Sequence, residues 1–280
     1  MEQHKIITWD KITLNAYYQP ETMNESNAPL IIWVHGAFEH ALRYQEPIRW
    51  FAEQGYQSIV YDQRGHGKSG GRKMSIRSFL DYAKDLLDVY KYFQSKSNAD
   101  LFIVGHSMGG LVVVRLLQEF ENILPIKAVA LSSPFMGLKA EVPAWKKALS
   151  GMVVKLAPDF SMPTALDVGL LSRNPQVGVA YANDPLVSKT TTAIWFEETM
   201  NACKIAPYKA SNITLPFLLM QAELDGIADN QATQKFFERI KSPNKILKVW
   251  HGAYHELFNE INKEEIYQYL YQFLHKNRNI

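Results

Sequence analysis

The chain has 280 residues, enough for one sizeable α/β domain or a core with a modest insertion. Its formal net charge of +2 comes with lysine and arginine scattered rather than blocked, so there is no electrostatic case for nucleic acid. A single cysteine, Cys203, excludes an internal disulfide and a thiolate metal cluster, and suits a reducing compartment.

The start, MEQHKIITWD, lacks the continuous apolar stretch of a signal peptide, and nowhere does the chain offer the roughly 18 apolar residues of a membrane span. The expectation is a cytoplasmic protein, with peripheral contact at a membrane left open. From His4 to Tyr18 apolar and polar residues alternate around Asp10 and Lys11, as in a half-exposed antiparallel hairpin. Short apolar runs follow at 30–34, 58–61, 101–104, 128–131, 217–220 and 246–250, each the length of a strand buried on both faces. Between them Ile76, Phe79, Leu80, Ala83, Leu87, Tyr90 and Phe93 keep i, i+3, i+4 spacing, which predicts a helix with one apolar face. Such alternation argues for a parallel sheet covered on both sides. From Pro134 to about Tyr208 no strand pattern is found. There Trp145, Ala148, Leu149, Met152, Val153 and Leu156 predict an amphipathic helix, with Lys146, Lys147 and Lys155 opposite. It reads either as a helix packed on the core or as a cap over an active site with an apolar surface for lipid.

The chemistry-bearing stretch is Gly105-His106-Ser107-Met108-Gly109, placed where an apolar run ends and a helical pattern begins. G-x-S-x-G in that setting is a nucleophile elbow, with the serine on a strained strand-to-helix turn. A serine hydroxyl needs a base oriented by a carboxylate, and on this architecture the partners follow in the order serine, acid, histidine. Asp225 lies in the loop after the 217–220 run and His255 in the loop after the 246–250 run. Ligand-facing residues of open α/β sheets collect at such strand ends. His106 is expected to point away from Ser107, His251 sits too early in its loop for good reach, and Asp229 is the fallback acid. The i, i+4 spacing of His251 and His255 would suit zinc on a helix, but Gly252 and the preceding strand argue against one, so no metal is expected. Oxyanion donors are expected from the backbone N–H of Met108 and, after Gly36, of Ala37. Asp62 and the stretch from Arg64 to Gly67 read as a brace for the neighbouring loop.

Together His35-Gly-Ala-Phe-Glu-His-Ala-Leu-Arg-Tyr44, Asp62-Gln-Arg-Gly-His-Gly-Lys-Ser69, Gly105-His-Ser-Met-Gly-Gly110, Leu171-Ser-Arg-Asn174, Asn183-Asp-Pro-Leu186 and Gly252-Ala-Tyr-His255 resemble the monoglyceride lipases and bacterial lysophospholipases of the α/β-hydrolase fold. The resemblance runs over nearly the whole chain. It implies a mostly parallel eight-stranded sheet with helices on both faces and a helical cap inserted after the sixth strand. The core would span 1–134 and 209–280, and the cap 135–208. It implies Ser107, Asp225 and His255 as the triad, Ala37 and Met108 as the oxyanion hole, and Glu39, Arg43 and Tyr181 at the polar head of the substrate. The implied reaction is hydrolysis of a single-chain lipid ester through an acyl-enzyme on Ser107, with no cofactor. Phe38 stands where that family usually has glycine, and Phe258 where it has a histidine that helps hold glycerol. Rival readings are a broad esterase, an aminopeptidase of the proline iminopeptidase type, which needs an acidic pocket for a free amine, and a binding module, which would have lost a triad member.

Overall fold

Strands apolar at every position need cover on both faces, and the computed structural model supplies it. It describes residues 1–23, 27–94, 99–120, 124–140, 153–164 and 166–278. The strands are β1 (Glu2–Ile7), β2 (Thr13–Gln19), β3 (Leu30–Val34), β4 (Gln57–Tyr61), β5 (Leu101–His106), β6 (Ile126–Ser132), β7 (Ser161–Pro163), β8 (Thr190–Thr192), β9 (Phe217–Ala222) and β10 (Lys245–Trp250). Eight of them form one sheet in the order β1-β2-β4-β3-β5-β6-β9-β10. The pairs β1–β2 and β2–β4 are antiparallel, and the others are parallel. Every residue of β3, β5 and β9 is buried. Because side chains alternate along a strand, Ile31 and Trp33 enter one core layer and Ile32 and Val34 the other.

Among the described helices are α1 (Gln45–Glu53), α2 (Leu80–Gln94), α3 (Met108–Phe120), α4 (Pro175–Asn183), α5 (Ala193–Ile205), α6 (Asn230–Arg239) and α7 (Lys263–Lys276). One face of the sheet packs on α2, α3 and Phe236 of α6, the other on α1 and α7. From β3 the chain moves outward to β4 and then returns to β5 on the opposite side of β3. That reversal opens a crevice at the carboxyl ends of β3 and β5, where open α/β sheets bind their ligands.

Several expectations need correction. Residues 245–249 of β10 are half-buried, because this strand is the sheet's edge and carries Lys245 and Lys248. Helix α2 begins at Leu80; Ile76 and Phe79 are buried without being helical, and the Phe79 N–H donates to the Glu198 carboxylate at 3.1 Å. The region after β6 does contain strands, since β7 and β8 pair as an antiparallel ribbon. Three-residue strands are too short to show alternation in sequence, and Thr192 Oγ1, which donates to the Met74 carbonyl at 2.6 Å, helps fasten this one to the core. Most of the amphipathic helix expected at 145–156 lies outside the described residues; 153–156 are helical, with Leu156 exposed. Among the described residues no helix is long and apolar enough to cross a membrane.

Candidate active site

Ser107 sits between the last residue of β5 and the first of α3 with φ +51, a left-handed backbone for a residue with a side chain. The sharp turn exists because its neighbours have no Cβ. One added at Gly105 would meet the Gly109 carbonyl oxygen at 2.8 Å, and one at Gly109 would overlap the Val34 carbonyl oxygen. This strained corner puts the hydroxyl at the end of the sheet rather than within it.

His255 reaches it from the loop after β10, with Nε2 at 2.9 Å from Ser107 Oγ. Its Nδ1 lies 2.8 Å from Asp225 Oδ2. An ionised carboxylate only accepts, so Nδ1 carries the proton and Nε2 is left to accept from the serine. Asp225 is held in turn, its Oδ1 accepting from the N–H groups of Ile227 and Ala228 at 2.9 Å each. Burial pushes its carboxyl up, but the His255 charge and these hydrogen bonds outweigh that and hold it below its ordinary value. Burial likewise pushes His255 down, yet Asp225 first, then Glu256 and Glu39, carry it above the usual 6.5.

The alternatives fall away on geometry. His251 is exposed and faces Glu223 at 3.1 Å. Asp229 Oδ1 caps α6 through the N–H groups of Gln231 and Ala232. His106 lines the same cavity, with its ring 4.9 Å from that of His255. A tether from Nδ1 to the Ser132 carbonyl at 3.0 Å keeps it there. Burial and the neighbouring His255 push it down to about 3, so it is neutral. Asp62 braces the β3 and β4 loops, accepting from the Ala41 and Lys68 N–H groups.

The loop after β3 passes directly over the nucleophile. A Cβ at Gly36 would lie 3.2 Å from Ser107 Cβ, and Ala37 and Met108 both line the cavity beside the serine. That cavity has a volume of about 570 Å³. Its wall is largely apolar, with Phe135, Leu138, Leu166, Leu170, Phe196 and Ile227 among its residues.

Glu39 and Tyr181 also line it, and so does Glu256, which sequence reasoning missed. Arg43 stands behind them. Its guanidinium binds both Glu256 oxygens at 2.7 and 2.8 Å, Glu39 Oε2 at 2.7 Å, and lies 4.8 Å over the Tyr181 ring. Glu39 Oε1 accepts from the Gly36 N–H at 2.6 Å and from the Tyr44 hydroxyl at 2.9 Å. Although burial disfavours its charge, Glu256 and Glu39 drive Arg43 well above its ordinary range, and Arg43 holds Glu256 well below its own. The Tyr181 hydroxyl is buried without a hydrogen-bond partner among the described residues. Phe258 turns from the cavity into the core, 5.5 Å from the Trp33 ring. A lone glutamate beside His255 has no spacing signature, and its pairing with a residue 213 positions away exists only in the folded chain. No cluster that could hold a metal ion occurs among the described residues.

A serine hydroxyl, imidazole and carboxylate in this series, at the carboxyl edge of this sheet, define a serine hydrolase of the α/β-hydrolase fold. Residues 25–262 match the family described as "Serine aminopeptidase, S33", and the chain belongs to it. Among its relatives, phospholipase YtpA of Bacillus subtilis is 32% identical over 242 residues, covering 85% of this chain and 92% of that protein. Human monoglyceride lipase is 31% identical over 235 residues, covering 83% and 77%. Of solved structures, the monoacylglycerol lipase of Paleococcus ferrophilus superposes with a TM-score of 0.83 at 26% identity, covering 99% of this chain and all of the other.

Proposed function

We propose that the protein hydrolyses esters of a single fatty acyl chain, with a neutral head group such as glycerol preferred. The observation that carries this reading is the apolar cavity of about 570 Å³ that runs to Ser107 and has Glu39, Tyr181 and Glu256 on its wall. Its size and lining suit an alkyl chain with one polar end. Two carboxylates against one guanidinium leave a formal excess of one negative charge near the head group, which disfavours a phosphodiester anion there. The relatives named monoglyceride lipase favour the same class, and the relative named phospholipase keeps lysophospholipids as the comparison.

In this mechanism Ser107 Oγ attacks the ester carbonyl as His255 Nε2 takes its proton, and Asp225 stabilises the imidazolium. The N–H groups of Ala37 and Met108 receive the oxyanion. His255 then protonates the departing alcohol, and water repeats the cycle on the acyl-enzyme. The segment 135–208 serves as a cap, because Met162, Tyr181, Thr191, Trp195 and Met200 of that segment line the cavity. Its exposed Leu156 and Phe160 are the surface we assign to contact with lipid aggregates.

The test is the ratio of kcat/KM for a monoacylglycerol to that for a lysophosphatidylglycerol with the same acyl chain, with Ser107→Ala as blank. A ratio well above one is expected. One at or below unity sinks the neutral head-group preference. The acidic residues at the cavity wall also favour a second reading, an aminopeptidase that takes a free amine. Aminoacyl chromogenic substrates decide between the two, and faster turnover of these than of acyl esters overturns the first.

A further inference from the structure

Phe38 follows Ala37 in the loop that passes over Ser107, and its backbone is left-handed at φ +68. An aromatic residue rarely holds that conformation unaided, and its side chain has no polar group to stabilise it locally. The ends of the loop are fastened to the core: the Gln63 side-chain amide donates to the His35 carbonyl at 2.7 Å, and the Ala41 N–H donates to Asp62 Oδ1 at 2.8 Å. Its middle is fastened by the segment inserted between β6 and β9. The Ser188 N–H donates to the Phe38 carbonyl at 2.8 Å. The Phe38 ring lies 5.2 Å from that of Trp195 and packs against Leu171, Tyr181 and Val187. Two residues on, His40 Nε2 pairs with Asp184 Oδ2 at 2.8 Å.

We infer that Phe38 is a positioning residue through which the seated inserted segment holds the loop of Ala37 in its working conformation. Rotation about φ of Phe38 moves Ala37 and the peptide planes on both sides of it. When the contacts from Ser188, Trp195 and Asp184 are lost, Phe38 relaxes toward negative φ, and the Ala37 N–H shifts relative to the oxygen developing on the substrate. Seating of the segment and stabilisation of the oxyanion are thereby one event. The inference rests on the hydrolase reading above and adds the coupling between its cap and its oxyanion loop.

Phe38→Ala and Phe38→Gly both remove the ring, but only glycine adopts a left-handed backbone without penalty. A packing role alone makes the two variants equal. The inference expects kcat of Phe38→Ala to fall about tenfold below that of Phe38→Gly, given the energy difference between alanine and glycine at positive φ. KM should change by less than about threefold between them. The same order is expected in the rate of Ser107 phosphonylation by an alkyl fluorophosphonate, whose phosphoryl oxygen occupies the oxyanion position. Equal rates in two variants that melt alike overturn the inference. Asp184→Ala supplies an independent arm, with a larger loss of kcat in the Phe38 chain than in the Phe38→Gly chain; equal losses also overturn it. If the labelling order holds while lipid esters are not turned over, the substrate assignment fails and the coupling stands. Absence of labelling in the native protein overturns both.

Discussion

Two groups of buried charge meet at the cavity wall, and they are built in opposite ways. In one, the single carboxylate of Asp225 holds an imidazole whose free nitrogen faces Ser107. In the other, the guanidinium of Arg43 donates to both oxygens of Glu256 and to Oε2 of Glu39. Imidazole gains and loses a proton near neutral pH, whereas guanidinium keeps its charge throughout. In the proposed mechanism the first group moves a proton. The second stays charged, and it links the Gly36 N–H through Glu39 and Arg43 to Glu256, the residue after His255.

Substitutions can break this comparison at either group, and the largest effect is expected at the first. Ser107→Ala should lower kcat by about 10⁴-fold or more while circular dichroism shows an unchanged fold; retained turnover would remove Ser107 from the chemistry. Next comes stability at the second group. Arg43→Met strands two buried carboxylates, and urea unfolding should show a loss of about 3–5 kcal/mol. A loss below about 1 kcal/mol, the worth of an exposed pair, would mean that the cluster is solvated.

A subtler effect links the two groups. In the proposed mechanism the neutral form of His255 is the base, and its pKa is raised, so kcat/KM should fall with decreasing pH through an inflection above 6.5. Glu256 contributes to that rise, so Glu256→Gln should move the inflection down toward 6.5. A pH–rate profile that does not move would separate the two groups electrostatically. The smallest change is expected at the cavity wall. Tyr181→Phe deletes a buried hydroxyl that has no partner among the described residues, so it should leave p-nitrophenyl ester hydrolysis intact and reduce monoacylglycerol kcat/KM roughly threefold to tenfold. Equal losses on both substrates would assign Tyr181 to packing.

The amino-acid sequence by itself determined the features that depend on neighbours. The apolar runs of β3, β5 and β9 read as strands covered on both faces, which they are, and the glycines around Ser107 sit in a turn where backbone approaches backbone. Asp225 and His255 were legible because each follows a strand pattern in the order that a serine nucleophile requires. Tertiary structure alone decided the rest. It joined Arg43 to Glu256, turned Phe258 into the core, made β10 an edge, brought His106 beside His255, paired β7 with β8 and held Phe38 at positive φ. Periodicity and steric exclusion act between residues a few positions apart and leave a mark in the string. Charge pairing across the fold, and a backbone held outside its preferred region, draw their energy from contacts that exist only once distant segments have met.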